Sequence, residues 1–354
     1  MIPGITLKRF MRHTLIRTGL EAIALSGLSR KRLSGGAIIF TLHHVRPEHK
    51  GLSKPNRLLS VTPAFLDETI RTCRDLGFLP ISLEDLPSRL CDPTDHNRYF
   101  VFTLDDGYRN NAEFAAPVFR RHDVPYTIFV TSGFAARTHS IWWETVEALL
   151  SRHDELEFDF GSGPCTIATR TPLQKTVAID RFSRFVQTSD EDAAVQQIDR
   201  LAAGLGLDPL DLVSRLTMNE KELAVLATDP LASLGAHTVS HVNLTRVGED
   251  RLRKEILEST KAVEAIGGKR PASFAYPYGF AEAVGDREFE AARDAGYSIA
   301  VTNRPGLVSR ECTNAPTSFN RVSLNGDYQK ARYVRALLSG VPFKLASTAS
   351  ARPA

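Results

Sequence analysis

Three apolar runs constrain this chain more than any other feature. Ala37-Ile38-Ile39-Phe40-Thr41-Leu42, Tyr99-Phe100-Val101-Phe102-Thr103-Leu104 and Tyr126-Thr127-Ile128-Phe129-Val130 are rich in β-branched and aromatic residues. Such continuous runs read as strands buried on both faces. Helix signals lie between them. Thr62 is a cap with Pro63 at the first helical position and a stop at Gly77, and a second helix is predicted near 111–122. Buried strands that alternate with helices form a parallel α/β sheet, whose strand C-terminal ends offer a place for an active site.

Polar residues sit at those ends. Asp105-Asp106-Gly107 follows the second run, and two adjacent carboxylates at a buried strand tip need a cation, a proton or water to hold them there. On these residues alone, a solvated Asp-Asp-Gly turn reads equally well. Far downstream, His237 and His241 stand four apart, which puts both imidazoles on one face if the segment is helical or turns once. With Asp106 they supply two nitrogens and one oxygen to a divalent ion and leave a position open, a ligand set that suits zinc. A surface histidine pair is the alternative. A third stretch, Ser273 to Gly279, runs from an apolar strand into a Pro-Gly turn.

Taken together and in this order, the three stretches resemble the polysaccharide deacetylases, the NodB-homology or family 4 carbohydrate esterases that include chitooligosaccharide deacetylase. The matching motifs are Thr103-Leu104-Asp105-Asp106-Gly107, His237-Thr238-Val239-Ser240-His241 and Phe274 to Gly279, within roughly residues 36 to 325. The resemblance implies a distorted (β/α)7-type barrel and hydrolysis of N-acetyl groups on an N-acetylglucosamine-containing oligo- or polysaccharide. It implies Asp105 as the base and Asp106, His237 and His241 as ligands of a divalent metal, most simply Zn²⁺. Tyr276, Pro277 and Tyr278 would line the groove, with a backbone N–H near Tyr278 on the oxyanion.

The chain departs from that pattern twice. No histidine follows His241, where most members place the acid that protonates the leaving amine. Leu42-His43-His44-Val45 resembles the Tyr-His-x-Val strand of a permuted branch, so the acid is assigned to His43, with His44 as second choice. Hydrogen bonds that merely cap the strand are the plainer alternative. The arginine usual in the third motif is also absent, and Arg321 on the last predicted strand, Phe319 to Leu324, is the candidate to replace it. These departures keep open a carbohydrate-binding pseudoenzyme and a metal hydrolase acting on another amide or ester.

Residues 1–35 form a basic N-terminal helical segment, 36–346 the catalytic domain with an insertion at 133–219, and 347–354 a disordered tail. Within the insertion, Trp142 and Trp143 are candidates to stack on sugar rings, with a core role for at least one as the plainer reading. A net charge of +3, without clustered basic and aromatic residues, gives no support to a nucleic-acid partner. The basic stretches from Lys8 to Arg12 and from Arg30 to Arg32 allow peripheral contact with anionic lipid. Glu21 interrupts the one candidate signal core, and no run reaches transmembrane length, so a cytoplasmic location is expected. Cys73, Cys91, Cys165 and Cys312 form no Cys-x-x-Cys pair and are expected to be buried free thiols.

Overall fold

Strand pairing explains why the apolar runs are continuous. The computed structural model describes residues 4–26, 36–48 and 54–350. Its main strands are β1 (Gly36–Leu42), β2 (Arg98–Leu104), β3 (Tyr126–Val130), β4 (Ala232–Ala236), β5 (Ser273–Ala275), β6 (Ile299–Val301) and β7 (Val322–Ser323). They pair in parallel in the order β6-β5-β4-β3-β2-β1-β7, and the short strand Phe78–Pro80 joins the start of β2. Just before β7, Phe319 bridges to Val301. Its N–H donates to Ala300 (3.0 Å), and its carbonyl accepts from the Thr302 N–H (2.8 Å). The two ends of the sheet therefore meet, and the sheet closes as a barrel of the (β/α)7 type.

Side chains alternate across each strand, so the barrel has two apolar layers. Ile38, Phe40, Phe100, Phe102, Ile128 and Phe274 face outward and pack under the surrounding helices with Leu66, Ile70 and Phe119. Ile39, Val101, Phe129, Ala275, Val301 and Phe319 fill the interior. Gly235 belongs to that inner packing, because a Cβ there would lie 2.5 Å from the Phe129 ring. The same parity decides the mouth. The register pairs Thr41 with Thr103 and Leu42 with Leu104, so His43 and Asp105 continue the inward positions of neighbouring strands.

The helix Pro63–Asp75 starts as predicted, with the Thr62 hydroxyl accepting from the Phe65 N–H. Residues 111–121 form a π-helical turn followed by α-helix instead of one regular helix. Of the two readings for 237–241, a helix or a single turn, the structure has the turn; it follows strand β4, whose single large apolar residue, Leu234, left it without a strand signature.

The insertion builds a core of its own. Helices Trp142–Arg152, Pro172–Thr188 and Glu191–Gly204 and the hairpin Glu155–Asp159/Pro164–Ala168 enclose Val146, Phe158, Ile179, Phe182 and Ile198.

The helix Gly4–Leu25 docks Leu20 and Ile23 on Tyr333 and Ala336. The side chains of Lys8 to Arg12, and Arg30 to Arg32 altogether, lie outside the described residues. No helix among the described residues is long and apolar enough to cross a membrane. The tail expected to be irregular from Ser347 is helical to Ser350, within the helix Val341–Ser350, and residues 351–354 lie outside the described part. All four cysteines are free, but only Cys73 is buried; Cys91 is exposed and the other two are half-buried, since they sit on peripheral elements away from the barrel core.

Candidate active site

At the mouth of the barrel, one ligand atom from each of Asp106, His237 and His241 lies within 4.8 Å of the others, and all three residues are buried. The His237 and His241 Nε2 atoms are 3.7 and 3.6 Å from Asp106 Oδ1, too far for hydrogen bonds. Two atoms that each bind a tetrahedral zinc at about 2.0–2.1 Å stand roughly 3.4 Å apart, so these separations suit a shared ion. The His237 ring is set for that use. Its Nδ1 is 2.7 Å from the Ala275 carbonyl, which can only accept, so Nδ1 carries the proton and Nε2 presents a lone pair. Both Asp106 oxygens and His241 Nδ1 are buried without a hydrogen-bond partner. Burial, then the Asp105 and Glu144 charges, drives the Asp106 carboxyl well above the ordinary range. Burial, then His237 and His43, drives His241 well below its own. A buried cation answers both imbalances, and the three residues fit one.

The backbone is bent to make this constellation. Asp106 (φ 72°), Thr238 (63°), His241 (59°) and Tyr278 (60°) are all left-handed. Such residues cost of order 1–3 kcal/mol each. The cost is concentrated where β2, β4 and β5 give way to loops.

Beside the triad, Asp105 is gripped by Arg321, whose Nη1 and Nη2 donate to its two oxygens at 2.7 Å each. Arg321 also donates from Nε to the Thr302 carbonyl (2.9 Å) and from Nη1 to the Thr103 hydroxyl (3.0 Å). Burial raises the Asp105 pKa, but Arg321, His237 and His43 together outweigh it and hold the carboxyl well below its usual range.

The paired histidines have different surroundings. His44 is fully buried. Asn110 Nδ2 donates to its Nδ1 (2.8 Å), so Nε2 carries the proton and donates to Glu144 (3.0 Å), while Tyr108 lies against the ring. His43 is half-buried, with its carbonyl bonded to Asn111. Burial brings its pKa down to about 4, against the pull of Asp105 and with the push of Arg321, His44 and His237.

A sequence profile of the family described as polysaccharide deacetylase matches residues 92–159 and 212–300, which brackets both halves of the triad. Over those two stretches the chain carries a polysaccharide deacetylase domain. Solved structures of similar fold include a Streptococcus pyogenes deacetylase, PplD, in complex with acetate. That match has a TM-score of 0.53 at 16% identity, over 83% of this chain and 95% of that one. IcaB from Ammonifex degensii gives 0.53 at 15% identity, over 86% and 98%. A de-N-acetylase from Aggregatibacter actinomycetemcomitans gives 0.52 at 10% identity, over 85% and 99%. At these identities the likeness is one of fold. No curated protein matches the chain.

The third motif, Phe274 to Gly279, holds no arginine, and the guanidinium that grips Asp105 comes from Arg321. Tyr276 does not line a groove. It is fully buried, its hydroxyl donating to the Thr317 carbonyl (2.8 Å), because its register on the β5 side turns it into the outer apolar layer. Pro277 is buried too, and Tyr278 is the half-buried residue of that turn. Trp142 packs in the core of the insertion and donates from Nε1 to the Tyr278 hydroxyl (3.2 Å). Trp143 is half-buried, lies 4.8 Å from the His241 ring and donates to the Tyr108 hydroxyl (3.0 Å).

Sequence reasoning missed Glu144 and Glu191. Glu144 holds His44, and Glu191 accepts from the Tyr278 hydroxyl at 2.6 Å. Both lie in the insertion, and neither carries a local pattern that separates it from an ordinary helix acid.

Proposed function

We propose that this chain is a metal-dependent deacetylase that removes N-acetyl groups from an N-acetylglucosamine-containing oligo- or polysaccharide. The observation that carries this reading is the buried Asp106, His237 and His241 set beside a carboxylate, Asp105, locked by Arg321. Bound there, a divalent ion such as Zn²⁺ would polarise the acetamide carbonyl and make water a better nucleophile near neutral pH.

The protein's own groups supply the rest. Asp105 takes the proton from the attacking water. Arg321 keeps it ionised and aimed while leaving lone pairs on its oxygens. The Tyr278 N–H has no acceptor among the described hydrogen bonds and is free to stabilise the developing oxyanion. An amide nitrogen cannot leave as an anion, so an acid must protonate it. His43 takes that part as a relay. With a pKa of about 4 it rests neutral near neutral pH, so it must first take up the proton that Asp105 removes from water before handing it to the nitrogen. It faces the barrel mouth with no side-chain hydrogen bond among the described residues, whereas both ring nitrogens of His44 are engaged.

The test is to strip the protein of metal, titrate it with Zn²⁺ and follow acetate release from N-acetylglucosamine oligomers. Metal-dependent acetate supports the proposal. Sugar binding without release points to a carbohydrate-binding chain, and neither result points to another amide or ester.

A further inference from the structure

We infer that Glu255 is a positioning residue for the two histidine ligands, its carboxylate fixing the turn that keeps His237 and His241 close enough to share an ion. This rests on the metal-site reading above.

Only Thr238, Val239 and Ser240 separate the histidines, and the turn reverses through left-handed backbone at Thr238 and His241. A turn of that shape has no ladder to hold its peptide groups, so other elements must. From the barrel side, the Ser132 N–H donates to the Thr238 carbonyl (3.1 Å) and the Gly133 N–H to the Val239 carbonyl (2.9 Å). The approach is close enough that a Cβ at Gly133 would lie 2.5 Å from that second carbonyl oxygen. From the opposite side comes Glu255, on the helix Glu249–Gly267. Its Oε2 accepts from the Val239 N–H (2.8 Å) and the Ser240 N–H (3.0 Å), and its Oε1 accepts from the Ser240 hydroxyl (2.7 Å).

Glu255 is buried, so these are charge-assisted bonds made away from water. Arg251 balances the charge, donating from Nε to Glu255 (3.4 Å) while Nη2 bonds Asp192 of the insertion (3.0 Å). Every amide donor between Thr238 and His241 thus converges on one carboxylate. Without it, two peptide N–H groups lose their acceptor, the turn is left with only the Ser132 and Gly133 donors and the His241 N–H bond to the Thr238 hydroxyl (2.9 Å), and the imidazoles can drift apart. Outer partners that orient ligands in this way are worth about 10–100-fold in metal affinity.

The measurement is Zn²⁺ affinity of the full chain by competition with a chelating dye, with circular dichroism and melting of the metal-free proteins as the folding control. Glu255→Ala is expected to bind Zn²⁺ about 10–100-fold more weakly than the parent. Glu255→Gln keeps a carbonyl oxygen for the two N–H groups and is expected to recover most of that loss. Should the alanine protein not fold, Glu255→Asp replaces it, because it keeps the charge but stops one methylene short of the turn. The same weakening is expected there. Parent-like affinity in folded Glu255→Ala or Glu255→Asp overturns the inference while leaving the metal site intact. A parent chain that takes up no Zn²⁺ overturns the metal reading, and this inference with it.

Discussion

Arg321 and Asp105 meet through two parallel hydrogen bonds of 2.7 Å, with both side chains cut off from water. Breaking such a pair from one side leaves the other charge buried alone, which typically costs 3–5 kcal/mol. Arg321→Ala is therefore expected to lower the denaturation midpoint by an amount equivalent to about 3–5 kcal/mol and to abolish measurable turnover. Asp105→Asn removes the base without changing shape. Its acetate release should fall about 10²–10⁴-fold while Zn²⁺ affinity stays within a few-fold of the parent. Retained turnover in Asp105→Asn would remove this residue from the chemistry.

The two neighbouring histidines should separate cleanly. His43→Ala is expected to lose about 10²–10⁴-fold in kcat with little change in urea midpoint, since its side chain makes no hydrogen bond among the described residues. His44→Ala should instead unfold more easily, by roughly 3–5 kcal/mol, because Glu144 is left in the interior without its 3.0 Å partner. Equal loss of turnover in two equally stable variants would contradict the division of roles.

Asp106 sets function against stability. Its two oxygens are buried and without partners, next to Asp105. Asp106→Asn keeps a residue that tolerates left-handed backbone but deletes the charge. The metal-free protein should melt at a higher temperature than the metal-free parent, and Zn²⁺ should no longer stabilise it. In the parent, Zn²⁺ at a thousand times its Kd should add about 4 kcal/mol. A parent whose melting ignores both Zn²⁺ and its chelators would argue against the site.

Tyr278 holds its left-handed conformation with help from the insertion. Its hydroxyl donates to Glu191 and accepts from Trp142, and Asn303 donates to its carbonyl (2.9 Å). Tyr278→Phe and Glu191→Ala are each expected to lower kcat several-fold to tens-fold, with KM nearly unchanged. The double variant should be no worse than the more severe single one, as when two residues act through one contact. Additive losses would show that Glu191 acts elsewhere.

The barrel was legible because buried strands announce themselves locally. The runs at 37–42, 99–104 and 126–130 became β1, β2 and β3, and Thr62-Pro63 marked a helix start that the Phe65 N–H confirms. Strand β4 was not legible: Ala232 to Ala236 are mostly small, and Gly235 is small because Phe129 needs the space. The triad could be read because its two halves keep recognisable motifs. Its supports could not. Glu144, Glu191 and Glu255 gain their roles from partners 100, 87 and 15–16 positions away, contacts that no periodicity encodes. Arg321 lay between: it could be named as the candidate to orient the base, but only the closed sheet brings it within 2.7 Å of Asp105.

That closure has a temporal side. The segment 319–323 joins the two ends of the sheet, and it also carries Arg321, while every other residue assigned to the chemistry precedes residue 280. A polypeptide emerging from the ribosome can set out both histidines and both aspartates and still have an open sheet with an unneutralised Asp105. Competence for the reaction and completion of the fold therefore arrive together, at the last strand.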